Sequence, residues 1–151
     1  MDVRHFPGSR RYPHFNKEQL AESLSKAGIE YHHLAQLGGR RRPRPGSHNT
    51  AWRNEAFRGY ADYMETNAFA EGINRLLDLA RKKRVAIMCA EAVWWRCHRS
   101  LIADYLKARG HQVLHIQSAT KAEEHPFTSA ARIVDGKLSY QAPLVEAELP
   151  L

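Results

Sequence analysis

Eleven consecutive residues, Cys89-Ala90-Glu91-Ala92-Val93-Trp94-Trp95-Arg96-Cys97-His98-Arg99, hold two thiols, a carboxylate, two indoles, two guanidiniums and an imidazole. Such a set can move protons, attack an electrophile and hold an anion. Glu91 and His98 suit proton transfer. Cys97 falls near a predicted helix start, where the dipole favours a thiolate, and is the better nucleophile candidate of the two cysteines. Arg99 and the free N–H groups of the helix start suit a phosphate or carboxylate. Each residue also has a plainer reading. Cys89 follows an apolar run and reads as a core thiol. The two tryptophans can simply pack, Glu91 can pair with Arg96 or Arg99, and His98 can cap a loop. Cys89, Glu91, Cys97 and His98 are also zinc-ligand types. The spacing C-x-E-x5-C-H is not a common zinc pattern, so no metal is assigned and the cofactor is left open. The C-x6-R spacing is one residue too long for a phosphatase-type cradle.

A second cluster is Leu37-Gly38-Gly39-Arg40-Arg41-Arg42-Pro43-Arg44. Adjacent glycines at 38 and 39 let backbone N–H groups converge on an anion, and Arg40 adds charge. Downstream, Asn49, Trp52, Arg53, Arg58, Tyr60 and Tyr63 alternate cations with rings. That alternation suits stacking on a base beside a phosphate, and equally suits an ordinary helix face. Arg4 and Arg10, near the chain start, complete the candidate anion-binding set with Gly38, Gly39, Arg40, Arg58, Tyr60, Cys89 and Arg99.

Something must position these residues. Asp2-Val3-Arg4 reads as a strand end and Pro7 to Pro13 as a basic loop. Asn16 opens a helix that Gly28 stops, with Leu20, Leu24 and Ala27 on one face. Ile29 to His32 reads as a short strand and Gly38 to Ser47 as a loop. The spacing predicts helices over about 57–64 and 69–80, the second amphipathic and followed by Arg81-Lys82-Lys83-Arg84. Val85 to Ala90 is a continuous apolar run, as in a strand buried on both faces of a parallel sheet. A helix follows over about 96–109, stopped by Gly110, and then a strand over 113–116. Strand, helix and strand from Val85 to Ile116 read as a right-handed βαβ crossover. Asp135-Gly136 marks a hairpin between 131–134 and 138–140. The expected architecture is a single-domain α/β fold, a mostly parallel sheet flanked by helices in a Rossmann-like three-layer arrangement. Residues 119–151 would form a less regular tail. In such a sheet, ligands bind beyond the carboxyl ends of the strands, where the Cys89–Arg99 segment would lie.

Composition narrows the classes. The chain has 151 residues, 43% of them hydrophobic, which suits one core. No apolar run is long enough for a membrane helix, and the first residues carry no secretory pattern. Two cysteines are too few for a disulfide framework, so a reducing cytoplasm is the expected setting. The net charge is +7 and uneven. Residues 1–58 hold eleven basic and five acidic side chains, and the basic ones are mostly arginine. An anionic partner follows, since arginine makes paired contacts with phosphate and carboxylate.

The same residues carry a family resemblance. Asp2-Val3-Arg4, Pro7-x-Ser9-Arg10, Phe15-Asn16, Tyr31-x-His33-Leu34, Leu37-Gly38-Gly39-Arg40, Trp52, Phe57-Arg58-Gly59-Tyr60-Ala61, Met88-Cys89-Ala90-Glu91 and Cys97-His98-Arg99 together resemble the bacterial and archaeal family called domain of unknown function 488. The resemblance spans the chain to about Tyr140. It implies an α/β fold and attaches no biochemical activity. It also implies a further strand and helix before the Asp2 strand, and here Met1 directly precedes Asp2. The expectation is a shortened member with an exposed strand edge, which invites pairing with a second copy.

Two functional classes are expected. One is an enzyme acting on a phosphorylated or nucleotide-like anion at the Cys/Glu/His/Arg site. The other is a nucleotide- or nucleic-acid-binding module without catalysis, whose binding would weaken steeply with salt.

Overall fold

The segment Met1–Arg4 runs between two other stretches of chain and is hydrogen-bonded to both. On one side, Asp2 N donates to His32 O (2.7 Å) and Leu34 N to Asp2 O (2.9 Å). On the other, Met88 N donates to Met1 O (2.9 Å) and Val3 N to Met88 O (3.0 Å). The pairing is parallel but amounts to single bridges, Asp2 to His33 and Asp2 to Met88. Val3 is fully buried and joins Leu34, Leu37, Tyr60, Phe69 and Leu101 in the core. The computed structural model describes residues 1–144.

Among the described residues there are four α-helices. Helix α1 (Lys17–Lys26) follows Asn16, whose side chain accepts from Ser9 N (2.6 Å) in the preceding loop rather than from the helix. Helix α2 (Glu55–Tyr63) is capped by Asn54, whose Oδ1 accepts from Ala56 N and Phe57 N. Helix α3 (Asn67–Ala80) is capped by Thr66 and buries Phe69, Ile73 and Leu76, a stripe at helical spacing. Burying a ring such as Phe69 contributes about 2–3 kcal/mol. Helix α4 (Arg99–Ala108) buries Leu101, Ile102 and Leu106.

The C-terminal part is two hairpins. Strand β1 (Leu114–Ser118) pairs antiparallel with β2 (Lys121–Glu124), and β3 (Arg132–Val134) with β4 (Lys137–Ser139). The turn between β3 and β4 places Asp135 at φ 50° and Gly136 at φ 74°, as the Asp-Gly pair predicts. Both hairpins are fastened to α4 through Asp104, whose carboxylate is fully buried. It accepts from His125 Nε2 (2.8 Å), Thr128 N (2.9 Å), Thr128 Oγ1 (2.6 Å) and Tyr140 Oη (2.8 Å). Four donors satisfy the carboxylate where no water reaches it. Of the expected irregular tail, 119–144 thus contains three strands, and 145–151 lies outside the described residues.

The expected parallel sheet and its three-layer Rossmann-like arrangement are not formed. Among the described residues the regular strands make two small antiparallel sheets, and no βαβ crossover closes. The reason is local. The run over 113–116 turns back within two residues, so β1 finds its partner in β2, where loop closure costs least. The run Val85–Ala90 is only partly buried, with Ala86 and Ala90 exposed, and it meets its neighbour at one bridge. Apolar continuity resembled a doubly covered strand without supplying one. Ile29–His32 likewise forms no strand. No helix among the described residues is long and apolar enough to cross a membrane.

The polar centre of the fold is Asp2 with Arg4. Arg4 Nε donates to Asp2 Oδ1 (2.9 Å) and Oδ2 (3.1 Å), and its Nη2 to Oδ2 (2.7 Å). Tyr31 Oη donates to the same carboxylate (2.5 Å). Both charges are buried, at 0% and 5% exposure. Burial opposes the Asp2 charge, but the bonds from Arg4 and Tyr31 outweigh it and hold the carboxyl below its usual range. Removing one partner of such a pair costs about 3–5 kcal/mol. Asp2→Asn is therefore expected to lower unfolding stability at neutral pH by about 3 kcal/mol in urea titrations. The folded carboxyl titrates below the unfolded value of about 3.9, so its contribution is complete above that pH and is lost as pH falls through the folded pKa. Wild type and variant should converge in strong acid, and equal stability at neutral pH would remove the pair from its central role.

Candidate functional site

Three chain segments meet around the side chains of Cys89, Cys97 and His98. Cys89 ends the stretch bridged to Met1–Arg4. Cys97 follows the 3-10 turn Trp94–Arg96, and His98 opens α4. The two sulfurs and one ring nitrogen all lie within 4.8 Å of one another. Cys97 Sγ is 3.6 Å from His98 Nδ1. His98 Nε2 lies 3.1 Å from Val3 O. A carbonyl only accepts, so in the neutral ring Nε2 carries the hydrogen and Nδ1 presents its lone pair toward Cys97.

Arg99 binds the cluster together. Its backbone N–H (3.5 Å) and its Nε–H (3.3 Å) both point at Cys97 Sγ, while its Nη2 donates to the Glu91 carbonyl. The Cys97 thiol is lowered to about 6. The hydrogen bond from Cys89 is the largest cause, burial opposes it, and the two Arg99 donors assist. Cys89 is raised to about 12, first by that same bond and then by burial. Cys97 is thus the more acidic sulfur of the pair.

The cluster floors an open cleft of roughly 400 Å³ whose walls include Gly39, Arg40, Phe57, Tyr60, Glu91 and Arg96. A smaller recess of about 150 Å³ continues past Gly39 and Cys89 toward Arg4, His5 and Phe6. Arg40 and Arg96 are exposed on the walls. Arg40 holds a left-handed backbone (φ 61°) and extends over the Phe6 ring. Glu91 is half-buried, with Val93 N 3.4 Å from its carboxylate.

Of the residues expected from sequence, Glu91, Cys97, His98, Gly39, Arg40, Tyr60 and Cys89 line this cleft. The others do different work. Arg4 is consumed by Asp2. Arg58 donates to Trp52 O (3.0 Å). Arg10 is exposed on its loop, outside both recesses. Arg99 is engaged by Cys97 and Glu91, so it orders the site from within. Gly38 packs where a Cβ would lie 2.9 Å from Ala35 O. Tyr60 is buried and donates to Leu37 O (2.7 Å), presenting a ring to His98 at 4.9 Å. Sequence reasoning missed Arg96 and His5 as cleft residues. His5 Nδ1 is buried with no hydrogen-bond partner among the described residues, and only the fold brings it beside Cys89.

The glycine at 39 is dictated by His98. A Cβ there would sit 2.9 Å from Nδ1 and 3.3 Å from the adjoining ring carbons. The ring is pinned from behind by Val3 O and Tyr60, so it cannot retreat freely. Gly39→Ala is expected to destabilise by about 1–3 kcal/mol, as overpacking does, and to swing the imidazole away from Cys97. Thermal unfolding and the His98 ring chemical shifts would report both, and an unshifted His98 with wild-type stability would contradict the packing argument.

Comparison with known proteins follows the same residues. No curated protein and no solved structure matches this chain. The family model described as "Domain of unknown function DUF488" matches residues 1–106, a span that takes in Asp2-Val3-Arg4, the Gly38–Arg40 loop and the whole Cys89–Arg99 cluster. The chain belongs to this family of unknown function.

Proposed function

We propose that the protein is an enzyme acting on a small phosphorylated or nucleotide-like anion in the cleft floored by Cys89, Cys97 and His98. One observation carries the reading. A sulfur held by two N–H donors and an imidazole sits at the base of an open cleft whose walls bear the exposed guanidiniums of Arg40 and Arg96. Arg40 and Arg96 attract and orient the anion. Glu91, in the same wall, exchanges a proton with the substrate, and Cys97 with His98 forms the reactive base.

The alternation of cations and rings that suggested nucleic acid is largely spent inside the fold. Arg41 lies over Tyr63 at 3.7 Å, the hydroxyls of Tyr60 and Tyr63 reach the Leu37 and Gln36 carbonyls, and Trp52 packs on Phe57 and Tyr140. Arg44 is paired with Glu65 and Asp62. These contacts favour a recessed site over an extended basic stripe.

A thermal-shift screen against nucleotides, sugar phosphates and short DNA and RNA tests this. Stabilisation by one small anion is expected, reduced at least tenfold in apparent affinity in Arg40→Ala/Arg96→Ala, since charged contacts contribute about 1.5–3 kcal/mol each. Glu91→Gln should retain binding and lose turnover of that compound. Stabilisation by oligonucleotides alone, fading with salt, would replace the enzyme with a nucleic-acid-binding module.

A further inference from the structure

The three donors at the cleft floor have the arrangement of an open metal site, although their spacing along the chain gives no such sign. In a tetrahedral zinc site with bonds of about 2.3 Å to sulfur and 2.0–2.1 Å to nitrogen, neighbouring donor atoms lie about 3.5–3.8 Å apart. Cys97 Sγ and His98 Nδ1 are 3.6 Å apart, and Cys89 Sγ completes a triangle with no side beyond 4.8 Å. Closing that triangle onto an ion requires movements of about an ångström or less, within side-chain rotation.

The surroundings match as well. A metal-binding histidine nearly always donates its other ring N–H to an oxygen that fixes the ring, and here that oxygen is Val3 O. Ligating sulfurs accept N–H groups from nearby backbone and side chains, as Cys97 does from Arg99. Gly39 leaves space beside Nδ1 that any side chain would fill. Two thiolates balance the charge of a divalent ion, and a sulfur-rich donor set with one imidazole selects zinc over magnesium or calcium.

We propose that Cys89, Cys97 and His98 together bind one zinc ion, with its remaining coordination open to the cleft. Three protein ligands and an open position is the pattern of catalytic rather than structural zinc. Bound there, the ion would polarise a substrate oxygen or acidify a water. Cys97 and His98 are then ligands rather than the reactive base, and Glu91 is the carboxylate in the same wall that takes up the proton. The inference rests on the reading of this cleft as the reaction site and supplies its cofactor.

The test uses the full chain, freed of metal by chelation under reducing conditions and titrated with cobalt(II), a coloured stand-in for zinc. Saturation at one equivalent is expected, with the visible bands of tetrahedral cobalt and a sulfur-to-cobalt charge-transfer band. Zinc should displace the colour. Cys97→Ser and, separately, Cys89→Ser should each weaken binding at least tenfold and diminish the charge-transfer band. Circular dichroism of each variant identifies any that fails to fold, and the wild-type titration stands without them. Absence of the charge-transfer band in folded wild-type protein would overturn the zinc site. So would an undiminished band in folded Cys97→Ser and Cys89→Ser. The anion screen, repeated on the metal-free protein with Arg40→Ala/Arg96→Ala as its control, is independent. Anion binding without cobalt binding would leave the enzyme reading and remove the ion. Cobalt binding without any anion response would leave the ion and remove the enzyme reading.

Discussion

Everything near the cleft hangs on four residues of backbone whose side chains are locked by one buried ion pair. With Asp2 and Arg4 joined and Tyr31 closing the carboxylate, the Met1–Arg4 segment cannot rotate or slide. Its carbonyls are then fixed acceptors. Met1 O receives Met88 N, Asp2 O receives Leu34 N, Val3 O receives His98 Nε2 and Arg4 O receives His33 Nε2 (2.8 Å). A pair that does little more than offset its own desolvation still fixes register, because any slip would strand a buried charge. The orientation of His98 is thereby a consequence of Asp2, although ninety-six positions separate them in sequence.

Helices were legible because their signals are local. Leu20 and Leu24, or Phe69, Ile73 and Leu76, repeat at the period of the helix, although the caps Asn54 and Thr66 start α2 and α3 two residues earlier than that period alone marks. The Asp135-Gly136 hairpin was legible for the same reason. The sheet was not. A continuous apolar run such as Val85–Ala90 states that a segment touches the core, without stating how many partners it pairs with. The outcome depended on β1 turning back to β2, a competition between a two-residue turn and a long crossover that the pattern of β1 alone does not decide. One further signal was available. Asp104 lies on the apolar face of α4 beside Leu101 and Ile102, and a carboxylate there must have buried donors. His125, Thr128 and Tyr140 are those donors, so Asp104 is the sign that the stretch from 125 to 140 packs onto α4.

The site was legible in part, for an unequal reason. The residues of the Cys89–Arg99 segment stood out by type, and the segment does fold back on itself to bring both sulfurs together. Charge was the poorer guide. Counting arginines treats them alike, whereas Arg4 is buried against a carboxylate, Arg41 covers a ring, Arg44 pairs with Glu65 and Arg58 holds a carbonyl. Arg40 and Arg96 remain on the cleft walls, the latter outside the expected set.

Arg99 shows why one position can resist simple assignment. Its backbone N–H is at the start of α4 and points at Cys97 Sγ, so the sulfur feels the positive end of the helix dipole. Its Nε–H reaches the same sulfur, and its Nη2 reaches the Glu91 carbonyl on the far side of the loop. One residue therefore opens a helix, holds a sulfur and braces the loop that carries Glu91. An arginine so placed favours negative charge on Cys97 in any chemistry, whether the sulfur attacks a substrate or binds an ion. On the proposed reading, an incoming anion would meet instead the exposed guanidiniums of Arg40 and Arg96.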